Sequence, residues 1–252
     1  MIRTIRSEWI KLRTVRMNTV LAVIAVGFPL IVVVLTAALG SIESVDARTL
    51  VGVTTGSSVI TAMLLGVIGA AGITGEFGFN TIRPTFAATP NRWKVIGAKA
   101  VVTMVVALVV EALVVILAYS IGAAVLRNRG AVIDLAASGD GLASAMYGIV
   151  LFAAIVSLLG FGLGLVTRST PAAVAILILW PLIAESIVAG LLSVAGVDGA
   201  SKWMPYQAGF NLGNPDSGGT EALSRVAGGL YFFAVTAAVV VVGSMLTSSR
   251  DA

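Results

Sequence analysis

Apolar residues in this chain come in long unbroken runs rather than at the intervals of an amphipathic helix or a half-buried strand. Residues 19–39, 50–74, 95–126, 142–166, 171–194 and 226–246 carry almost no charge. Each reaches the roughly 20 residues that a helix needs to cross about 30 Å of hydrocarbon. A helix on the surface of a soluble domain has one apolar stripe, whereas these runs are apolar on all sides, as lipid-embedded segments must be. The pattern predicts an all-α integral membrane protein, with residues 1–252 forming a single domain of six transmembrane helices.

The polar segments between the runs are as informative as the runs. In residues 1–18, Ile2, Ile5, Trp9 and Leu12 share one helical face and Arg3, Arg6, Lys11 and Arg13 lie on or near the rest, while Arg16 falls on the apolar side. This predicts an amphipathic helix lying in the membrane interface, with its cations available to anionic lipid; the alternative is a disordered basic leader. Residues 19–39 exceed the 7–15 of a secretory signal's apolar core, so the first run reads as an uncleaved anchor. Residues 75–94 read GEFGFNTIRPTFAATPNRWK. Pro84 ends any helix entering from the second run, and Thr89-Pro90 is a good helix start, with Thr as N-cap and Pro at the first helical position. The chain therefore breaks, turns and re-enters. The third run would be about 48 Å long at 1.5 Å per residue, longer than the hydrocarbon slab, so part of it projects as a rigid end rimmed by Arg92, Lys94 and Lys99. The plainer alternative is a basic loop that only sets topology. Residues 195–225 are too interrupted by Pro205, Gly209, Gly213, Pro215, Gly218 and Gly219 to cross, yet Trp203, Tyr206 and Phe210 favour the interface. Two short helices dipping partway into the outer leaflet satisfy both facts; an exposed loop is the alternative.

Charge adds an orientation. With the amino terminus inside, eleven Lys and Arg residues (Arg3, Arg6, Lys11, Arg13, Arg16, Arg83, Arg92, Lys94, Lys99, Arg168, Arg250) fall on the cytoplasmic side. Five (Arg48, Arg127, Arg129, Lys202, Arg225) fall outside. The positive-inside rule then puts both termini in the cytoplasm. The composition, 58% hydrophobic and 11% charged with a mean hydropathy of +1.03, agrees with a membrane protein. The sequence pI of about 9.8 expresses charge asymmetry across a membrane rather than a nucleic-acid partner.

Candidate chemistry is sparse. Cys and His are absent, which removes disulfides, His/Cys zinc sites and Ser–His or Cys–His nucleophiles. Every Asp lies outside the six runs, so an intramembrane aspartyl pair is excluded too. A phosphate-binding P-loop needs Gly before its Lys, but Lys11, Lys94, Lys99 and Lys202 follow Ile10, Trp93, Ala98 and Ser201. The chain is therefore not expected to be an enzyme, and any ATP-driven step needs another subunit. Two carboxyls do fall inside the runs, Glu111 and Glu185. An acidic side chain at the bilayer centre costs about 2.5–3.5 kcal/mol on insertion scales, so each is expected to face protein or water. Substrate binding, proton coupling or a plain interhelical hydrogen bond are the available roles. With no embedded cation expected beside them, a proton or a Ser/Thr hydroxyl is the expected compensation. Gly66, Gly69, Gly72 and Gly75 recur every third residue, and Gly160 and Gly164 form a small-xxx-small pair; both read as helix-packing surfaces.

Taken together these features resemble the permease subunit of bacterial ABC (ATP-binding cassette) exporters of the ABC-2 type. The resemblance spans essentially the whole chain. It rests on the basic start Ser7-Glu8-Trp9-Ile10-Lys11-Leu12-Arg13-Thr14, six helices and the long loop after the fifth. Most specific are Glu76, Thr81-Ile82-Arg83 and Thr89-Pro90-Asn91-Arg92-Trp93; Lys202-Trp203-Met204-Pro205-Tyr206-Gln207-Ala208 is a smaller match. Asn80 stands where related sequences often place Gly. The resemblance implies a cytoplasmic element, with Glu76, Arg83, Arg92 and Trp93, docked on an ATPase subunit present in two copies that carries the ATP and Mg. It also implies a second permease subunit, a re-entrant outer gate around Trp203, Pro205 and Tyr206, a bacterial cytoplasmic membrane setting and outward movement of amphiphilic or hydrophobic cargo. The rival reading is a stand-alone membrane protein, either a proton-linked transporter using Glu111 and Glu185 or a non-transporting anchor.

Overall fold

The computed structural model describes residues 10, 15–42, 44–79, 81, 92–133, 141–197, 199–215 and 223–250. Among them there is no strand. The helices are α1 (Arg16–Leu39), α2 (Ala47–Gly78), α3 (Arg92–Asn128), α4 (Leu142–Thr167), α5 (Thr170–Leu179), α6 (Glu185–Val194), α7 (Pro205–Phe210) and α8 (Arg225–Arg250). A π-helical turn, Trp180–Ala184, joins α5 to α6, and a 3₁₀ turn, Ala200–Trp203, precedes α7. Six helical stretches are long and apolar enough to cross a membrane: α1, α2, α3, α4, Thr170–Val194 and most of α8. They contain all six runs predicted from the sequence. Most of residues 1–18, and with it the predicted interfacial helix, lies outside the described residues, as do Thr89 and Pro90.

α4 is the central helix. It packs against α2, α3, α5 and α8, and α1 rests on α2 and α3. The α2–α4 crossing is close because glycine faces glycine: a Cβ on Gly160 would run into the Gly66 carbonyl, and one on Gly69 into the Ser157 carbonyl. The Ser157 hydroxyl donates to Leu65 O across the same seam at 3.1 Å. Small residues here allow backbone approach, the usual basis of helix association where lipid is as apolar as the helix. Gly75, at the far end of the glycine run, has nothing within 4 Å of a would-be Cβ, so the packing seam ends before it.

Several polar groups at depth are satisfied by neighbouring side chains. Pro29, inside α1, has no N–H for the Ala25 carbonyl one turn back. The Thr61 hydroxyl of α2 donates to that carbonyl at 2.6 Å, which repairs the gap and ties α1 to α2. Helix ends at one face of the bundle are closed by arginines. Arg129 donates to Ala37 O and Gly40 O at 2.6 and 2.8 Å, covering the end of α1, and Arg127 donates to Ile133 O at 3.0 Å. Arg225 donates to Gly141 O, Asn214 O and the Ser144 hydroxyl, joining the start of α8 to the start of α4 and to the loop after α7. Asp46 caps α2, accepting from the Thr49 amide and hydroxyl at 2.7 Å each. These two bonds hold its carboxyl below the usual range.

The fifth span differs from the uninterrupted helix expected over residues 171–194. Pro181 lacks an N–H and its ring crowds the preceding turn. The helix responds with a π turn, in which the Glu185 amide reaches back to Trp180 O. One extra residue in the turn rotates everything after it by about 100° around the axis, from 3.6 residues per turn. Glu185 is the residue whose direction this changes most directly.

Candidate functional site

Three polar features stand out against the apolar bundle. The first lies where α2 ends and α3 begins. Glu76 and Lys99 form an ion pair at 2.6 Å, with both side chains buried. It joins the last turns of α2 to the third turn of α3 and brackets residues 80–91 between two helices held together by charge. Removing one member of such a pair leaves an uncompensated buried charge, typically a loss of 3–5 kcal/mol. Around it, Arg92 donates to Ser248 O at 2.9 Å, so the start of α3 also holds the end of α8. The Thr74 and Thr170 hydroxyls meet at 2.5 Å, and the Arg168 guanidinium lies 4.8 Å from the centre of the Phe77 ring. Trp93 remains 50% exposed. Arg83 lies outside the described residues. A cleft of about 680 Å³ opens beside the ion pair, bounded by the start of α1, the end of α2 and the first turns of α3.

Lys99 corrects the sequence reading. It was expected on a basic rim with Arg92 and Lys94, but its ammonium is 4% exposed and committed to Glu76. The signal was available in the positions: a carboxyl at the close of one span and a lysine about two turns into the next can meet when the two helices are antiparallel neighbours.

The second feature is Glu111 in the middle of α3. It is fully buried, and neither carboxyl oxygen has a hydrogen-bond partner among the described residues. The Ser58 hydroxyl of α2 approaches it without closing a bond at normal length and angle. It joins a polar face of α2, formed with Thr54, Thr55, Ser57 and Thr61, that turns inward rather than to lipid.

The third feature is the best built. Glu185 is fully buried although most of its helix is exposed. Its Oε1 accepts from the Tyr206 amide at 2.7 Å and from the Trp180 indole at 3.2 Å, and its Oε2 accepts from the Gln207 amide at 3.1 Å. Tyr206 and Gln207 are the second and third residues of α7. Their amides have no partner within the helix, and the N-cap residue, Met204, has no side chain that can serve. Glu185 supplies the missing cap from another helix, with Pro205 ahead of it where an N–H is not needed. The expected compensation for Glu185 was a proton or a Ser/Thr hydroxyl; backbone amides and an indole take that role instead.

The rest of α7 is held as firmly. Tyr206 and Phe210 meet Phe152 of α4 at ring-centre distances of 5.0 and 6.1 Å, and Tyr206 meets Phe232 of α8 at 5.9 Å. Gly209 and Gly228 admit this contact, since a Cβ on Gly209 would strike the Phe232 ring and one on Gly228 the Ala208 carbonyl. Trp203 stands edge-on to Tyr231 at 6.1 Å, and the Tyr231 hydroxyl donates to Trp203 O at 3.0 Å. The structure thus gathers Glu185, Trp203, Pro205 and Tyr206 into one assembly. Glu76 and Lys99 form a second, with Arg92 and Trp93 close in sequence, and Glu111 stands by itself.

No group of three or more metal-ligating side chains is found among the described residues. No family model, curated protein or solved structure matches the chain.

Proposed function

We propose that this chain is the membrane permease subunit of an ATP-driven exporter of the ABC-2 type, moving amphiphilic or hydrophobic cargo outward. The observation that carries the reading is the Glu76–Lys99 pair, because it makes the ends of α2 and α3 one mechanical unit around residues 80–91. A push on that connector is passed to both helices rather than absorbed at a loose joint. Arg92, bonded to Ser248 O, extends the same unit to α8. The half-exposed Trp93 ring is the anchor offered to a soluble ATPase, with charges at its rim fixing register. Two ATPase copies and a second permease complete the assembly. Both termini are cytoplasmic in this reading, and α7 is a re-entrant element at the outer face, fixed by Glu185 and packed on α4 and α8. Opening an outward path means moving α7, and the Glu185 bonds are what hold it shut.

A stand-alone, proton-linked transporter is the second reading, and Glu111 is the observation that favours it, since a buried carboxyl without a hydrogen-bond partner is a place to carry a proton.

Trp93→Ala tests the first reading. It removes a half-exposed ring and no charge, so insertion and topology are expected to be retained. Association with the ATPase copurified from the native cell is expected to weaken at least about tenfold, the equivalent of about 1.4 kcal/mol of lost contact. If no ATPase accompanies the parent protein, or if Trp93→Ala binds it unchanged, the exporter reading fails. Loss of a pH-driven flux in Glu111→Gln vesicles containing this chain alone would then establish the rival.

A further inference from the structure

The cleft beside Glu76 and Lys99 is not explained by helix packing. The glycine run of α2 divides into two halves with different neighbours. Gly66 and Gly69 press against α4, whereas Gly72 and Gly75 line the cleft, and Gly75 has open space where a side chain would be. The walls are mainly apolar, with Val15 just before α1, Met17 in α1, Phe79 just after α2, Val102 from α3 and Phe161 from α4, and Asn18, Thr81, Thr103 and Thr170 add polar groups. Glu76 and Lys99, paired at 2.6 Å, both line the cleft. A volume of about 680 Å³ is that of a site for one drug-sized ligand.

From this combination we infer that the cleft binds a single-tailed amphiphile with a zwitterionic head, its tail along the α1–α3 walls and its two head charges against the Glu76–Lys99 pair. This rests on the exporter reading and names the cargo class for it. The physical reason is charge complementarity. A cationic head is attracted by Glu76 and repelled by Lys99 at nearly equal distance, and an anionic head meets the reverse, so either gains little. A head with both signs a few ångströms apart gains from both, and the low-dielectric surroundings strengthen each term. An uncharged sugar head fills the volume but leaves both terms unused. The missing side chains at Gly72 and Gly75 leave the tail its room.

The native chain has no Cys, so Gly75→Cys gives a unique reporter in the cleft. With the protein in nanodiscs of phosphatidylglycerol, its modification by a small maleimide is followed with dodecylphosphocholine, dodecyl maltoside, dodecyltrimethylammonium or dodecyl sulfate added below solubilising levels. Dodecylphosphocholine at about four times its Kd is expected to slow modification about fivefold, because the free fraction falls as 1 + [L]/Kd. The other three are expected to slow it much less at the same concentration. Glu76→Gln combined with Lys99→Gln removes both charges together and is expected to abolish the preference among heads. Gly75→Leu, whose Cβ has nothing within 4 Å and which favours helix, is expected to cut labelling by a diazirine-tailed alkylphosphocholine at least about fivefold, as about 1 kcal/mol or more of lost binding would. Equal protection by all four heads overturns the zwitterion assignment. Absence of protection by any head, or undiminished photolabelling of Gly75→Leu, overturns the cleft as a site. None of these measurements needs an ATPase. A Gly75→Leu protein that loses the probe but still copurifies with its ATPase leaves the exporter reading standing.

Discussion

Single residues in this bundle matter according to which backbone group they complete. Thr61 is the clearest case, because the carbonyl it serves is orphaned by Pro29 four residues later in α1. Thr61→Val keeps the shape and removes the hydroxyl, and is expected to lower stability in detergent by about 1–2 kcal/mol, between the average found for polar contacts in membrane proteins and the cost of a buried group left unmade. In a Pro29→Ala background Ala25 O regains an amide within its own helix, so the same substitution is expected to cost less than half as much. A double-mutant cycle by thermal or SDS unfolding measures the difference, and additive effects would show that the Thr61 bond does not compensate the proline. Only the first half of this pairing was legible in the sequence. A proline in an apolar run announces a missing bond but not which of several threonines will reach it.

At the scale of elements, the six long helices were legible because hydrocarbon imposes a length and an absence of charge that no other constraint imitates. The π turn was not, and of α7 only the expectation of short helices within residues 195–225 was legible, not where it seats or what caps it. Pro181 sits in a run as apolar as the others, and the same glycines and prolines that mark residues 195–225 as unable to cross also allow α7 to seat against Phe152 and Phe232. What joins the two elements is the Glu185 carboxyl, whose partners are backbone amides and so leave no trace in side-chain pattern. Glu185→Gln keeps an acceptor oxygen and is expected to leave the fold and α7 in place. Glu185→Ala leaves two amides and an indole without their acceptor at a buried site, and N-cap losses of this kind cost about 0.5–2 kcal/mol. Amide hydrogen exchange over residues 204–212 is therefore expected to accelerate roughly tenfold in Glu185→Ala, by about 1.4 kcal/mol of lost protection, and little in Glu185→Gln. Equal exchange in the two variants would mean that the aromatic contacts alone hold α7.

Over the whole molecule, the two ends of the bundle are built differently, and the difference bears on orientation. At the end carrying α7, the cations Arg127, Arg129 and Arg225 are consumed in closing helix and loop carbonyls. Their position follows from that structural work as much as from membrane insertion. At the other end Lys99 is consumed by Glu76 and Arg92 reaches Ser248 O. The bias that predicts a cytoplasmic amino terminus is one of sequence, eleven Lys and Arg against five, and its largest share is the cluster Arg3, Arg6, Lys11, Arg13 and Arg16. Cysteines placed singly at Ala87 and Ser217 read this directly in an otherwise cysteine-free chain. In sealed cells a membrane-impermeant thiol reagent is expected to label position 217 and to reach position 87 only after permeabilisation. Labelling of position 87 from outside would invert the bundle, put the Glu76–Lys99 unit and Trp93 beyond the reach of any cytoplasmic ATPase, and remove the exporter reading together with the cargo class assigned to its cleft.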